Sequence, residues 1–184
     1  AGRKIVAAGM ELSEYIMPGL GGRELSREHA LETADALNRI DPHFIRLRTL
    51  AIPGHTELAA DRAAGRFTKL SEVETAAEIL LLLTHLEGIG SFVASDHILN
   101  LFQDLEGRLP VDRERLRGIL QTFLALPPEE RVIYQVGRRM GLFRGLADLA
   151  RPGARRRVEE VCRQHGIGPE NAEAAIDELM TRFI

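Results

Sequence analysis

Two strand-like runs each end in a glycine-bearing loop that leads towards a helix, and this repetition constrains the fold more than any other feature of the chain. Glu14-Tyr15-Ile16-Met17 runs into Pro18-Gly19-Leu20-Gly21-Gly22, and the segment from Phe44 to Ala51 runs into Ile52-Pro53-Gly54. Strand, loop and helix in series point to a parallel sheet, and in parallel α/β sheets ligands bind outside the carboxyl ends of the strands. The two loops therefore mark one edge of a ligand site.

The segments between and after these runs extend the pattern. Ser26 reads as the N-cap of a helix to Ile40 with Ala30, Ala34 and Leu37 on its inner face, stopped by Asp41-Pro42. A short helical segment spans Glu57 to Ala64, and Ser71-Glu72-Val73-Glu74 is a capping box. The helix it opens faces inward with Val73, Ala76, Ala77, Leu80 and Leu83 and ends near Gly88. Gly90 to Ala94 reads as a third short strand, so the first half is β-α-β-α-β. Beyond Pro110 the pattern is helical, with helices predicted at Asp112–Leu126, Pro128–Met140, Ala154–His165 and Pro169–Phe183. The expected organisation is an α/β segment over 1–109 and a helical extension over 110–184.

With 184 residues, 45% of them hydrophobic, the chain can bury a core of one domain, or of one domain with a helical appendage. Its 24 Lys and Arg against 27 Asp and Glu make no case for a global draw to nucleic acid or to an anionic membrane. The basic cluster at Arg151, Arg155, Arg156, Arg157 and Arg163 is interspersed with Asp148, Glu159 and Glu160 and reads as a solvated helix face. A single cysteine, Cys162, excludes an intrachain disulfide and a multi-cysteine metal site, and fits an inert thiol in the cytoplasm. The apolar stretch from Ile79 to Leu83 is too short to span a bilayer, and no signal peptide opens the sequence. Ala1 to Gly9 resembles the end of a helix closed by a glycine, which leads to the expectation that the sequence begins inside a domain.

The glycines at 19, 21 and 22 allow close approach of backbone to a ligand, although Gly-x-Gly-x-x-Gly is absent. On the second strand, Ile45 and Leu47 alternate with Arg46 and Arg48, so one face carries two guanidinium groups. Unpaired arginine is costly to bury, so that face either lines a polar cleft or lies on an edge in water, with Glu14 as a candidate internal partner. Asp96 and His97 follow the third strand and form a candidate proton-transfer pair, or a cap. His29 and His55 have no metal-ligand spacing.

Taken together, these residues resemble the carboxyl-terminal half of a radical SAM Fe–S oxidoreductase. That family carries Gly-x-Ile-x-Gly-x-x-Glu at the end of a barrel strand, and Tyr15, Met17, Gly19 and Gly22 fall on its four defined positions, of which Gly19 matches. Ser26 to Thr33 resembles the helix that follows, and Pro53-Gly54-His55-Thr56-Glu57-Leu58 the loop after the next strand. The resemblance implies a partial (β/α) barrel with about three parallel strands, followed by an all-helical region. It also implies S-adenosylmethionine and a 4Fe-4S cluster as cofactors of the full-length protein. Met17, Gly19, Leu20 and Gly21 would contact S-adenosylmethionine, chiefly through backbone. Arg46 and Arg48 would orient a carboxylate of cofactor or substrate, and Asp96 and His97 would act on the substrate side. The Cys-x-x-x-Cys-x-x-Cys loop that holds the cluster is absent here, so the resemblance implies that the upstream half of the same barrel completes the enzyme and that this fragment alone is inactive. The partners it implies are that upstream half and a small-molecule substrate, with no membrane. A non-enzymatic helical adaptor and a phosphate-binding α/β barrel enzyme are the alternatives.

Overall fold

Backbone groups of alternating β-prone runs must pair, and here they pair in chain order. A computed structural model describes residues 1–180. Helix α1 (Gly2–Ala7) leads to β1 (Ser13–Ile16), α2 (Ser26–Ile40), β2 (Phe44–Leu47), α3 (Glu57–Ala63), α4 (Glu72–His85) and β3 (Phe92–Ala94). Next come β4 (Gly107–Arg108), α5 (Arg113–Ala125), α6 (Pro128–Arg139), a 3₁₀ turn over Leu146–Ala150, α7 (Pro152–His165) and α8 (Ala172–Met180). The sheet has the order β1-β2-β3-β4, with β1, β2 and β3 parallel and β4 antiparallel to β3. The expected β-α-β-α-β half is therefore present. Among the described residues the sheet is open, with β1 and β4 at its edges.

Register sorts the side chains. Glu14 pairs with Ile45 and Ile45 with Val93, and Tyr15 pairs with Arg46 and Arg46 with Ala94. Ile45, Leu47 and Val93 are buried beside Ala30, Ala34 and Leu37 of α2 and Ala76, Ile79 and Leu83 of α4 in one hydrophobic cluster. The other face carries Tyr15, Arg46 and Phe44, and Tyr15 is 63% exposed. Helices thus cover one face of the parallel strands, and the second face is left open. The same cluster continues through Leu116, Leu120, Phe123, Tyr134, Val158 and Ile176, so the helices after residue 110 share the core of the sheet. No described helix is long and apolar enough to cross a membrane.

Several local expectations are corrected. Ser26 is the first helical residue, and Leu25 takes the N-cap position without a side-chain bond, because the Ser26 hydroxyl donates to Glu78. On α4 the Ser71–Glu74 capping box forms, but Ala77 is exposed and Val73 and Leu80 are only half-buried. The buried stripe is Ala76, Ile79, Leu82 and Leu83, with Glu78 beside it. The helix stops at His85, where Leu86 turns extended and is fully buried. The second strand ends at Leu47, the third begins at Phe92, and β4 is too short to leave a periodicity. Helix α8 begins at Ala172 instead of Pro169, and positions 181–183 of its expected span lie outside the described residues.

Leu83, on the inner side of α4, is 1% exposed. Leu83→Ala should lower the unfolding free energy by about 2–5 kcal/mol, from lost transfer energy plus the residual cavity. Ala77→Leu, on the solvent side of the same helix, should change it by less than about 0.5 kcal/mol. Urea unfolding of both variants checks the assignment of faces.

Candidate functional site

The loop after β1 is held from below by a buried carboxylate. Glu78 on α4 has a side chain 2% exposed, a position that is costly for a carboxylate unless donors surround it. Gly19 N–H donates to Glu78 Oε1 at 2.8 Å, the Ser26 hydroxyl donates to Oε2, and His29 Nδ1 lies 2.8 Å from Oε1. One side chain therefore joins the Gly19 turn, the first turn of α2 and the middle of α4. Gly19 itself sits at φ 86°, where a side chain would strain the backbone.

This latch changes how the loop can meet a ligand. The N–H of Gly19 is engaged by Glu78, that of Leu20 by Met17 O at 3.2 Å and that of Gly22 by Gly19 O at 3.0 Å. Gly21 is packed so that a Cβ would lie 3.1 Å from His29 and 3.2 Å from Leu25 O. Met17 and Leu20 are 36% and 50% exposed, so what the loop offers is chiefly apolar side chain. The glycines give the loop its shape.

Beside the loop, Arg46 and Arg48 share Asp96. Arg48 Nη1 donates to Asp96 Oδ1 at 2.8 Å, and Arg46 Nη1 donates to Oδ2. Arg46 Nε also donates to Ser13 at 3.1 Å, and Arg48 Nη1 to Leu47 O at 2.8 Å. Tyr15 lies beneath the Arg48 guanidinium at 4.5 Å, and Phe44 beneath that of Arg46 at 5.5 Å. Glu14, the expected internal partner, is in register with Ile45 on the opposite face, so alternation removes it from the arginines. Two cations share one anion here. Arg46 Nη2 and Arg48 Nε and Nη2 have no protein partner among the described residues.

Asp96 is thus engaged as an arginine partner. Burial would raise its pKa, but the Arg48 hydrogen bond and the charges of Arg48 and Arg46 outweigh it and hold the carboxyl below the usual range. Next to it, His97 is held below the usual imidazole value by burial and then by the Arg48 charge, against a smaller opposing pull from Asp96. The two neighbours are brought together, but as an ion-paired carboxylate and a neutral imidazole. Cys162 is buried, and that burial pushes its thiol up.

The carboxyl ends of β2 and β3 are tied by Asn100, whose Nδ2 donates to Leu47 O and to Ser95 Oγ, each at 3.0 Å. Thr49 Oγ1 donates to Leu99 O at 2.8 Å. Arg138 of α6 donates to the carbonyls of Leu101, Asn100 and Phe143, and Arg139 to that of Leu99 at 2.9 Å. A cleft of about 300 Å³ opens between these strand ends and the helices, with Gly19 and Arg48 on its border. Glu78, Arg138 and Arg139 are the residues that sequence reasoning missed. Their signals were a lone carboxylate inside the apolar run from Ala76 to Leu83 and an arginine pair ending an amphipathic helix.

Comparison with protein families, curated proteins and solved structures finds no match to this chain. The described residues contain no grouping of three His, Cys, Asp or Glu side chains able to hold a metal ion. With Cys162 buried in α7, they do not fit an iron-sulfur cluster.

Two outcomes test the site. Replacing Glu78 with Ala leaves the Gly19 N–H and the Ser26 hydroxyl without their acceptor, and stability should fall by about 3–5 kcal/mol. Proton exchange at Gly19 should accelerate. In an NMR titration His97 should protonate below its ordinary 6.5, and Arg48→Met should move that midpoint up. A folded-state pKa lowered in this way contributes stability above 6.5 that is lost as pH falls through the lower value.

Proposed function

We propose that this chain forms the carboxyl-terminal wall of the S-adenosylmethionine and substrate cleft of a radical SAM Fe–S oxidoreductase, as one sector of a (β/α) barrel in the cytoplasm. The observation that carries this reading is the open sheet face, where Arg46 and Arg48 share the single carboxylate Asp96 beside a latched glycine loop. Sequential parallel strands with helices on one side leave such a face towards the lumen when further strands close the barrel. The rest of the barrel, with the cysteines that bind the cluster, belongs on this reading to the upstream half. A cluster held by that upstream half would supply the reducing electron to S-adenosylmethionine.

The chain's own residues have the following roles. Arg46 and Arg48 present spare guanidinium N–H groups to a carboxylate of cofactor or substrate, since a planar fork binds a carboxylate bidentately. Asp96 orients that fork. Met17 and Leu20 give apolar contact to the adenosine part, and Gly19 and Gly21 shape the loop that presents them. His97, kept neutral at physiological pH, is a hydrogen-bond partner or proton acceptor on the substrate side.

The alternatives draw less support. A phosphate at the N-terminus of α2 would meet the carboxylate of Glu78, already bonded to Ser26 and His29. The helical adaptor, in which the α/β half is only a platform for the tail, gives no role to the two arginines that share one carboxylate beside the latched glycine loop.

Isothermal titration of the full-length protein with S-adenosylmethionine tests the assignment. Arg48→Met should weaken binding by about 1.5–3 kcal/mol, the range for a hydrogen bond to a charged group. Arg48→Lys should not restore it, because the charge returns without the fork. Unchanged affinity with a lowered melting temperature would mean that the arginines serve the fold alone. Anaerobic reconstitution of the 184-residue chain by itself should yield no stoichiometric cluster.

A further inference from the structure

The cleft between the strand ends and the helices has a charge pattern that selects a ligand. Its volume of about 300 Å³ is roughly twice that of the ~150 Å³ cavity known to admit benzene. Leu47, Ile79, Phe102, Val132 and Ile176 line it, and all five are buried. A matching occupant has an apolar body larger than one benzene ring.

The acids among the described lining residues are Glu72, Glu173 and Asp177, and each is engaged. Glu72 accepts from Arg139 and Gln135, Asp177 accepts from Lys69 and Arg62, and Glu173 adds its field to that of Glu74 on Arg23. The lining cations are Arg48, Lys69, Arg131 and Arg139. Those acids hold Lys69 and Arg139, whereas the Arg48 guanidinium turns to the open sheet face, over Tyr15 and against Asp96. Arg131 remains. It is half-buried, and among the described residues its side chain has no hydrogen bond or ion pair.

Helix geometry puts Arg131 on the side of the cleft. Pro128, Arg131, Val132, Gln135 and Arg139 of α6 all line it, and their spacing of three and four residues is that of one helix face. Val132, Gln135 and Arg139 are buried, whereas Pro128 is exposed and Arg131 half-buried, so the cation stands towards the mouth. Apolar walls with one unanswered guanidinium at the mouth complement a molecule that has an apolar body and a single carboxylate. We propose that this cleft binds an apolar monocarboxylate, its hydrocarbon part among Leu47, Ile79 and Val132 and its carboxylate on Arg131. This is a second ligand, separate from the cofactor and substrate assigned to the open sheet face, and it does not rest on that assignment.

The test is an NMR shift titration of the unaltered protein with 1-naphthoate, with the neutral 1-naphthylmethanol and with the cationic 1-naphthylmethylammonium, which share one ring system. Naphthoate should saturate one site, with shifts at Val132 and Ile176. The alcohol should bind about tenfold more weakly, as expected for loss of a hydrogen bond between charged groups, and the ammonium more weakly still. Arg131→Gln should lower naphthoate affinity about tenfold and leave that of the alcohol unchanged, which also shows that the variant is folded. Arg46→Met, which removes a cation of the open face, should leave naphthoate binding as it is. The ligand series on the unaltered protein decides the proposal even where a variant does not fold. Equal affinity for the three ligands, full naphthoate affinity in a folded Arg131→Gln variant, shifts confined to Tyr15 and Ala94 of the open face, or no saturable binding would overturn it. Naphthoate binding in this cleft without S-adenosylmethionine binding would support this site while removing the cofactor reading, and the converse would remove this site alone.

Discussion

The arrangement of the site depends on one buried carboxylate. Glu78 is surrounded by Gly19, Ser26 and His29, which come from the loop after β1 and the first turns of α2. A carboxylate placed there without donors would be expelled or would disrupt the layer. With them, it acts as the anion that the amino end of α2 favours. Because the same residue stands in the buried stripe of α4, the glycine loop cannot move without disturbing the packing between α2 and α4. Loop conformation and core packing are therefore coupled through a single side chain.

The open sheet face works by imbalance. Asp96 cannot neutralise both Arg46 and Arg48, so the face retains positive charge and unused donors where the strands end. The guanidinium groups of Arg48 and Arg46 lie over the rings of Tyr15 and Phe44, which attract the cations. The result is an organised cationic fork, which differs from a pair of arginines extended into water. Burial, with the Arg48 charge added to it, keeps His97 neutral, so the neighbouring imidazole and carboxylate take opposite roles.

The helical region contributes to the site through its arginines. Arg138 has three backbone carbonyls as partners and Arg139 one, all but one of them in the loop after β3. Helix α6 thereby sets the position of Asn100, which in turn ties β2 to β3. The cleft lies between the strand ends and the helices, and Leu101, Phe102, Ile79 and Val132 are among the apolar residues that line it.

Local signals specified much of this chain. Alternation at Ile45, Arg46, Leu47 and Arg48 determined which face of β2 is apolar, since strand period is two residues regardless of neighbours. The Ser71–Glu74 box determined where α4 begins, because both of its hydrogen bonds are made within four residues. What no local pattern encodes is which distant groups meet. Asp96 as the arginine partner instead of Glu14, Glu78 beneath the glycine loop, and Arg138 on the carbonyls after β3 all join residues dozens of positions apart. Those pairings are decided by register and layer packing, which come into being only when the strands and helices assemble.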